Sequence, residues 1–349
     1  MQDMLHYIEA EPQIYADILA NRQTILRTLL NDKSTAYKNV VIFATGSSSN
    51  AAFAAQPYMS QQLGIPVFVE EPSFTANYML HLQPDTLYIA ISQGGHSYST
   101  IEMVKRVQAI NGRIYTITGD ENSPIAKLSQ YVIPLGMPIE EMPYVTAGYS
   151  ATILTLMLLA LELGKQDQAS YQTNLAAIEN IVTDLPRIID AAKEWVAHYS
   201  DVFDTVQRVI FVGYGGTYGV AREGETKITE TVRITALGKE VEEYMHGPYI
   251  GLHASDHVIF IEPNGKLQER VAKLQKFLTG KVAKVVRITN GQVDRQDDLG
   301  LALPTDELLA PLFMTIPIHL LAYTASARKQ INLKVSAFPD FDPITNSKI

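Results

Sequence analysis

One order of elements, an apolar strand, a glycine-containing turn and then a helix, occurs twice in this chain and constrains its fold more than any other feature. Residues 39–55, NVVIFATGSSSNAAFAA, and residues 208–224, RVIFVGYGGTYGVAREG, match in residue type and order. A repeat of that length points to internal duplication. Behind each copy the pattern continues. PVFVEEP (66–72), DTLYIAISQGG (85–95), RIYTITG (113–119) and YVIPLG (131–136) read as strands of the first half, and HVIFIEPNG (257–265) and KVAKVVRITNG (281–291) as strands of the second. Helical spacing or composition lies over 12–31, 50–64, 99–112, 147–164 and about 309–327. Strands alternating with helices imply parallel βαβ units, and strands with little polar alternation suit a sheet covered on both faces. The expected fold is therefore α/β, with two doubly wound parallel-sheet domains related by duplication. The expected organisation is an N-terminal helix (1–30), a first domain (31–166), a helical linker (167–207), a second domain (208–334) and a C-terminal tail (335–349).

Composition narrows the function classes. The chain has 349 residues, 46% of them hydrophobic, enough for more than one core. Its net charge of −9 argues against nucleic acid as a partner. A local nest of N–H groups can still hold a phosphate on an acidic protein. With no cysteine there is no disulfide, thiolate metal site or cysteine nucleophile. The eight histidines are scattered, so neither a metal nor another cofactor is expected. The start, MQDMLHYIEAEPQIY, lacks the basic and apolar regions of a signal peptide. The most apolar stretch, ATILTLMLLALELG (151–164), is too short to span a bilayer and reads as a buried helix. These features fit a cytoplasmic protein with no membrane partner.

Three strand-to-helix turns could carry chemistry: ATGSSSN (44–50), SQGGHSYST (92–100) and GYGGTYG (213–219). In an open parallel sheet, ligands bind at the carboxyl ends of strands, where such turns lie. Helix N-termini there present free N–H groups and the positive end of the dipole. The hydroxyls of Ser47, Ser48, Ser49 and Ser97 could add donors to a phosphate without any lysine, or could serve as ordinary N-caps. None of the turns fits a dinucleotide fingerprint or a P-loop. In AREGETKITE (221–230), Glu223, Lys227 and Glu230 share one helix face. A carboxylate there could shuttle protons, and a solvated salt bridge is the plainer reading. His246, in EEYMHGPYIG (242–251), sits where a helix should give way to a loop and could pass protons near neutral pH. The tail FPDFDPITNSKI, with Lys348 beside its last residue, has the composition of a frayed end.

Together these segments resemble the sugar isomerase (SIS) family, most nearly the isomerase domain of glucosamine-6-phosphate synthases, over almost the whole chain. ATGSS and SQGGHS stand where that family has turns of the types A-C-G-T-S and S-Q-S-G-E-T. The resemblance implies two flavodoxin-like SIS domains, with Thr45, Gly46, Ser47, Ser48, Ser92, Gln93, Gly94 and Ser97 around the sugar phosphate. Thr45 replaces the family's common cysteine, Gly94 its central serine and His96 a glutamate. GETKITE is similar to the segment carrying the family's two glutamates, which implies Glu223 and Glu230 as site residues and Glu230 as the group moving a proton between C1 and C2. EYMHGP is similar to E-L-K-H-G-P, implying His246 in ring opening, there supplied by a neighbouring subunit of a homodimer with a shared site. DPITNSKI is similar to the family's tail and implies Lys348, with Lys334 second on spacing, as the lysine that engages the sugar carbonyl. No glutaminase half is read in these 349 residues. The expected activity is thus that of a deglycase or deaminating isomerase on an amino-sugar 6-phosphate or phosphorylated sugar–amine adduct. A plain aldose–ketose phosphosugar isomerase and a non-catalytic phosphosugar sensor are the alternatives.

Overall fold

A computed structural model describes residues 2–32, 37–164 and 167–349. The chain forms two compact units: 13–176 with the tail 335–349, and 2–12 with 177–334. Each holds a five-stranded, wholly parallel sheet. In the first unit the strands are β1 (Asn39–Phe43), β2 (Val67–Glu70), β3 (Thr86–Ile91), β4 (Tyr115–Thr118) and β5 (Tyr131–Pro134), in the order β2-β1-β3-β4-β5. In the second they are β6 (Arg208–Gly213), β7 (Thr235–Glu240), β8 (His257–Glu262), β9 (Lys284–Thr289) and β10 (Leu299–Gly300), in the order β10-β9-β8-β6-β7. Read from the other edge, the second order repeats the first strand for strand. This is the flavodoxin-like doubly wound order, and the two-domain α/β reading of the repeat is borne out.

The sequence explains why each sheet is covered on both faces. All six residues of β3 and all six of β8 are buried; the apolar runs 87–91 and 258–261 account for most of this, and Thr86, His257 and Glu262 are buried at the strand ends. In the first unit the alanine-rich helix Gly46–Leu63 lies against Ala147–Leu163, a helix buried all round from Ala147 to Leu161. On the other face Ile101, Met103, Val104 and Val107 of the helix Tyr98–Ala109 pack with Phe43, Tyr88 and Ala90. Among the described residues no helix is long and apolar enough to cross a membrane.

Several boundaries differ from the sequence reading. The alanine-rich helix starts at Gly46 and not at 50, because short serine side chains are accepted in a first turn whose N–H groups have no helical partner. The opening helix runs Met4–Ile25 with Pro12 inside it, followed by the short turn Arg27–Leu30. The helix expected near 309–327 is divided into Pro311–Met314 and Ile316–Arg328. Strand β7, TALGKE, went unread because alanine, glycine and lysine are poor strand formers.

The second unit makes use of that glycine. A Cβ on Gly238 would lie 2.3 Å from the Ala221 carbonyl oxygen, one on Gly213 2.2 Å from that of Thr217, and one on Gly224 2.8 Å from the Phe211 ring. The three glycines let the helix Thr217–Lys227 lie directly on β6 and β7. Gly238→Ala is expected to lower stability by about 1–3 kcal/mol, because the obstructing atoms are backbone and cannot rotate away. Urea denaturation, comparing midpoints at constant m-value, would measure it.

Candidate functional site

Because β1 pairs with β3, Phe43 opposite Ala90, the turns leaving these two strands emerge side by side. The Thr45 and Ser97 hydroxyls stand 3.5 Å apart, and Ser97 also accepts from Thr100 at 3.1 Å. Thr45 and Ser97 are the N-cap positions of the helices that follow, yet neither hydroxyl caps its own helix. Ser48 and Ser49 are buried in the first turn of one helix, and Ser47 is half-buried. In the second turn the Ser92 hydroxyl accepts from the Ser97 N–H at 3.3 Å, and the Gly95 N–H donates to the Ser92 carbonyl at 3.0 Å. Gln93 is tied down: its side-chain amide donates to the Gly148 carbonyl and to Thr152, both at 2.9 Å.

The double glycine divides its labour. Gly95 has φ +75°, and a Cβ there would fall 2.1 Å from the Ser123 hydroxyl, so this position excludes any side chain. A Cβ on Gly94 would meet nothing within 4 Å. The backbone of the turn is open on that side. Gly46, with φ +57°, supplies the left-handed residue that turns the chain from β1 into its helix.

The tail is ordered by this same turn. It carries the short helix Phe341–Thr345, ends it on the left-handed Asn346, and then pairs Lys348 with Ser97 in an antiparallel bridge. The Tyr98 N–H donates to the Ser347 carbonyl at 3.1 Å, and the Ile349 N–H to the His96 carbonyl at 3.0 Å. Lys348 thus has its backbone beside the serine turn, while its ammonium lies 3.3 Å from Asp342. Lys334 is assigned to the other unit.

In the second unit the glutamate helix carries a line of charge. Lys227 Nζ lies 2.8 Å from Glu230 and 3.5 Å from Glu223. Glu223 and Lys227 are fully buried, whereas the Glu230 side chain is 38% exposed. The helix continues as a π turn over Ile228–Val232, a distortion common at functional sites, and Arg233 follows it with φ +60°. Glu225 leaves this face and accepts from the Gly238 N–H. His246 ends the helix Val241–Met245 as expected; its Nδ1 donates to the Glu242 carbonyl at 2.7 Å, and the ring is exposed.

Sequence reasoning missed the inner end of this line. His319 is completely buried on the helix Ile316–Arg328, with Nε2 3.5 Å from Glu223 and Nδ1 4.0 Å from Glu11. The signal was present: a histidine in the apolar run PIHLLAY has no local reason to be polar. Among the described residues no cluster of acids and histidines could hold a metal ion.

Comparison with known proteins agrees with this architecture. A model described as the SIS domain matches residues 35–162 and 203–329, one match per repeated half. The chain is 29% identical over 312 residues to a glutamine–fructose-6-phosphate aminotransferase (isomerizing) from Thermosynechococcus vestitus, covering 85% of this chain and 50% of that protein. It spans about half the length of the curated relatives it matches. Among solved structures, a candidate phosphosugar isomerase from Clostridium difficile 630 superposes with a TM-score of 0.90 at 23% identity, covering 99% of this chain and 98% of the other. The C-terminal domain of glucosamine-fructose-6-phosphate aminotransferase from Francisella tularensis superposes with a TM-score of 0.82 at 19% identity, covering 95% and 98%. With both repeated halves matched by one family model over most of the chain, this protein belongs to the SIS-domain family.

Proposed function

We propose that this protein is an enzyme that binds a sugar phosphate on the serine turns 44–50 and 92–97 and moves a proton between C1 and C2 with Glu230. We further propose that its substrate is an amino-sugar 6-phosphate or a phosphorylated sugar–amine adduct, from which the amine is then released. The observation that carries the reading is the state of Glu230. Its carboxylate is partly exposed and is gripped from behind by a lysine that is itself buried. A base held in one position, with its protons exchangeable at the surface, suits repeated proton transfer.

The phosphate would be held by polar groups and two helix N-termini, with Ser48, Ser92, Ser97 and Thr45 as hydroxyl ligands and Gly46, Ser47 and Gly94 offering backbone. Gln93, whose amide nitrogen is engaged, would support the turn and leave the contacts to its neighbours. Gly94, open on its side-chain face, would let an anion approach the backbone where the family carries a hydroxyl. Lys348, carried to the serine turn by the tail, would polarise the open-chain carbonyl, and His246 would serve ring opening, in a homodimer that shares its site.

For a ketosamine the chemistry balances without a redox partner. Glu230 takes a proton from C1, and the resulting enolamine is reprotonated at C2, which leaves an imine at C1. Water adds to that imine, and the amine departs with the proton that water supplies. For a 2-amino aldose the two carbons exchange roles. The deciding experiment is a screen of phosphorylated fructosamines and hexosamine 6-phosphates for free amine. Release of amine supports the proposal, aldose–ketose interconversion without it leaves a plain isomerase, and binding without either reaction leaves a sensor.

Glu230→Gln is expected to lower kcat by at least about a hundredfold with sugar-phosphate affinity nearly unchanged, since it removes a base and not an anchor. Wild-type turnover in that variant would refute the proton-transfer role. Ser48→Ala combined with Ser97→Ala should raise KM about tenfold or more, and isothermal titration with inorganic phosphate or product would show the same loss directly. Removing Ser347–Ile349 should lower kcat while leaving the melting temperature within a few degrees, as measured by scanning calorimetry beside the activity assay.

A further inference from the structure

The turn that carries Ser92 and Ser97 also seats the tail, and the pairing between them has a definite geometry. The Tyr98 N–H donates to the Ser347 carbonyl at 3.1 Å and the Ile349 N–H to the His96 carbonyl at 3.0 Å. These two bonds flank Ser97 and Lys348 and leave them directly opposed. This is the narrow, non-hydrogen-bonded pair of an antiparallel ladder, the kind that brings its side chains closest together. Directly opposed residues project from one face. The Lys348 side chain therefore sets out on the face of the Ser97 hydroxyl, which stands 3.5 Å from that of Thr45. A shift of the tail by one residue would turn Lys348 to the other face.

A ladder of two backbone bonds is short, and a third contact reinforces its outer end. His96 Nδ1 lies 2.5 Å from the main-chain oxygen of Ile349. That oxygen can only accept, so the ring donates from Nδ1. One residue thus holds Ile349 twice, its N–H on the His96 carbonyl and its oxygen on the His96 ring. Any residue at 96 could make the first bond, whereas the second needs a side-chain donor. The glutamate that the family carries at this position is, when ionised, an acceptor only. The Lys348 ammonium is held more loosely, 3.3 Å from Asp342, which also accepts from the Ser347 hydroxyl. That ion pair is largely exposed, so little opposes its release. The backbone of Lys348 is fixed while its ammonium stays free to turn to a carbonyl.

We propose that His96 is a positioning residue for Lys348. Its ring, by holding Ile349, keeps the tail paired with the serine turn and keeps Lys348 on the face of the phosphate cradle. The inference rests on the part given to Lys348 in the proposed function.

The test compares His96→Ala, which removes the ring bond, with His96→Asn, whose amide N–H stands where the imidazole has Nδ1. Hydrogen exchange at the Ile349 and Tyr98 amides, followed by NMR on the full chain, reads the seating of the tail directly. Loss of one such bond should speed exchange about fivefold in His96→Ala, and His96→Asn should stay within about twofold of wild type. Equal rates in His96→Ala and wild type would overturn the proposal. In kinetics, His96→Ala should lower kcat about two- to fivefold with KM little changed, and His96→Asn should restore it. In protein lacking residues 347–349, His96→Ala should have no further effect on either constant. A histidine that only shaped the phosphate turn would raise KM and would keep its effect in the truncated protein, which would refute the inference. If truncation itself left kcat unchanged, the role of Lys348 in the proposed function would fail instead, and exchange at Ile349 would still decide whether His96 seats the tail.

Discussion

The parallel pairing of β1 with β3 is the constraint on which the candidate site depends. Register along that ladder fixes where each strand ends, and both ends open into a turn that begins a helix. Two polar turns that are far apart in the chain thereby present hydroxyls 3.5 Å apart and direct two helix N-termini to one place. The loop after β4 contributes as well, since the Gly119 N–H binds the Gln93 carbonyl and Ser123 crowds Gly95. The turn gives the tail its backbone partners.

The second unit shows what the same topology does with other residues. Its first turn, 213–219, occupies the place of ATGSSSN, yet its hydroxyl is consumed internally. Thr217 donates to the Tyr214 and Ile261 carbonyls, and Tyr214 donates to the Pro263 carbonyl. At the end of β8 the buried Glu262 occupies the place that β3 gives to the serine turn. Burial pushes its carboxyl above the usual range, against a hydrogen bond from Gln275. An anion would find no welcome there. Duplication preserved the scaffold, and the chemistry diverged at the loops, as folds with grafted sites commonly do.

The buried charges of the second unit belong to a different physics from its surface pairs. Exposed pairs such as Arg328–Asp204 or Lys193–Glu9 contribute little, because water screens them. Glu223 and Lys227 have no such screening, and the ion pair between them, with Glu230 also against the Lys227 ammonium, offsets part of the cost of burying both. Their helix reaches that depth through the glycines at 213, 224 and 238, so the placement of charge follows from missing side chains.

The sequence by itself determined the α/β class, the duplication, the strands of both sheets except β7 and the short β10, and the sets of polar residues at the strand ends. These are local properties: hydrophobic runs, helical spacing and turn residues act within a few positions of one another. Glu223, Lys227 and Glu230 were legible as one helix face for the same reason. Only the tertiary structure decided that TALGKE is a strand, because its pairing with β6 overrides poor local propensity. It also decided that the tail is seated, since its partners lie some 250 residues upstream in an element of opposite polarity. The meeting of Glu11, His319 and Glu223 from three helices was equally beyond local reading. Long-range contacts of this kind leave no periodicity in the chain, and burial is a property of the packed molecule alone.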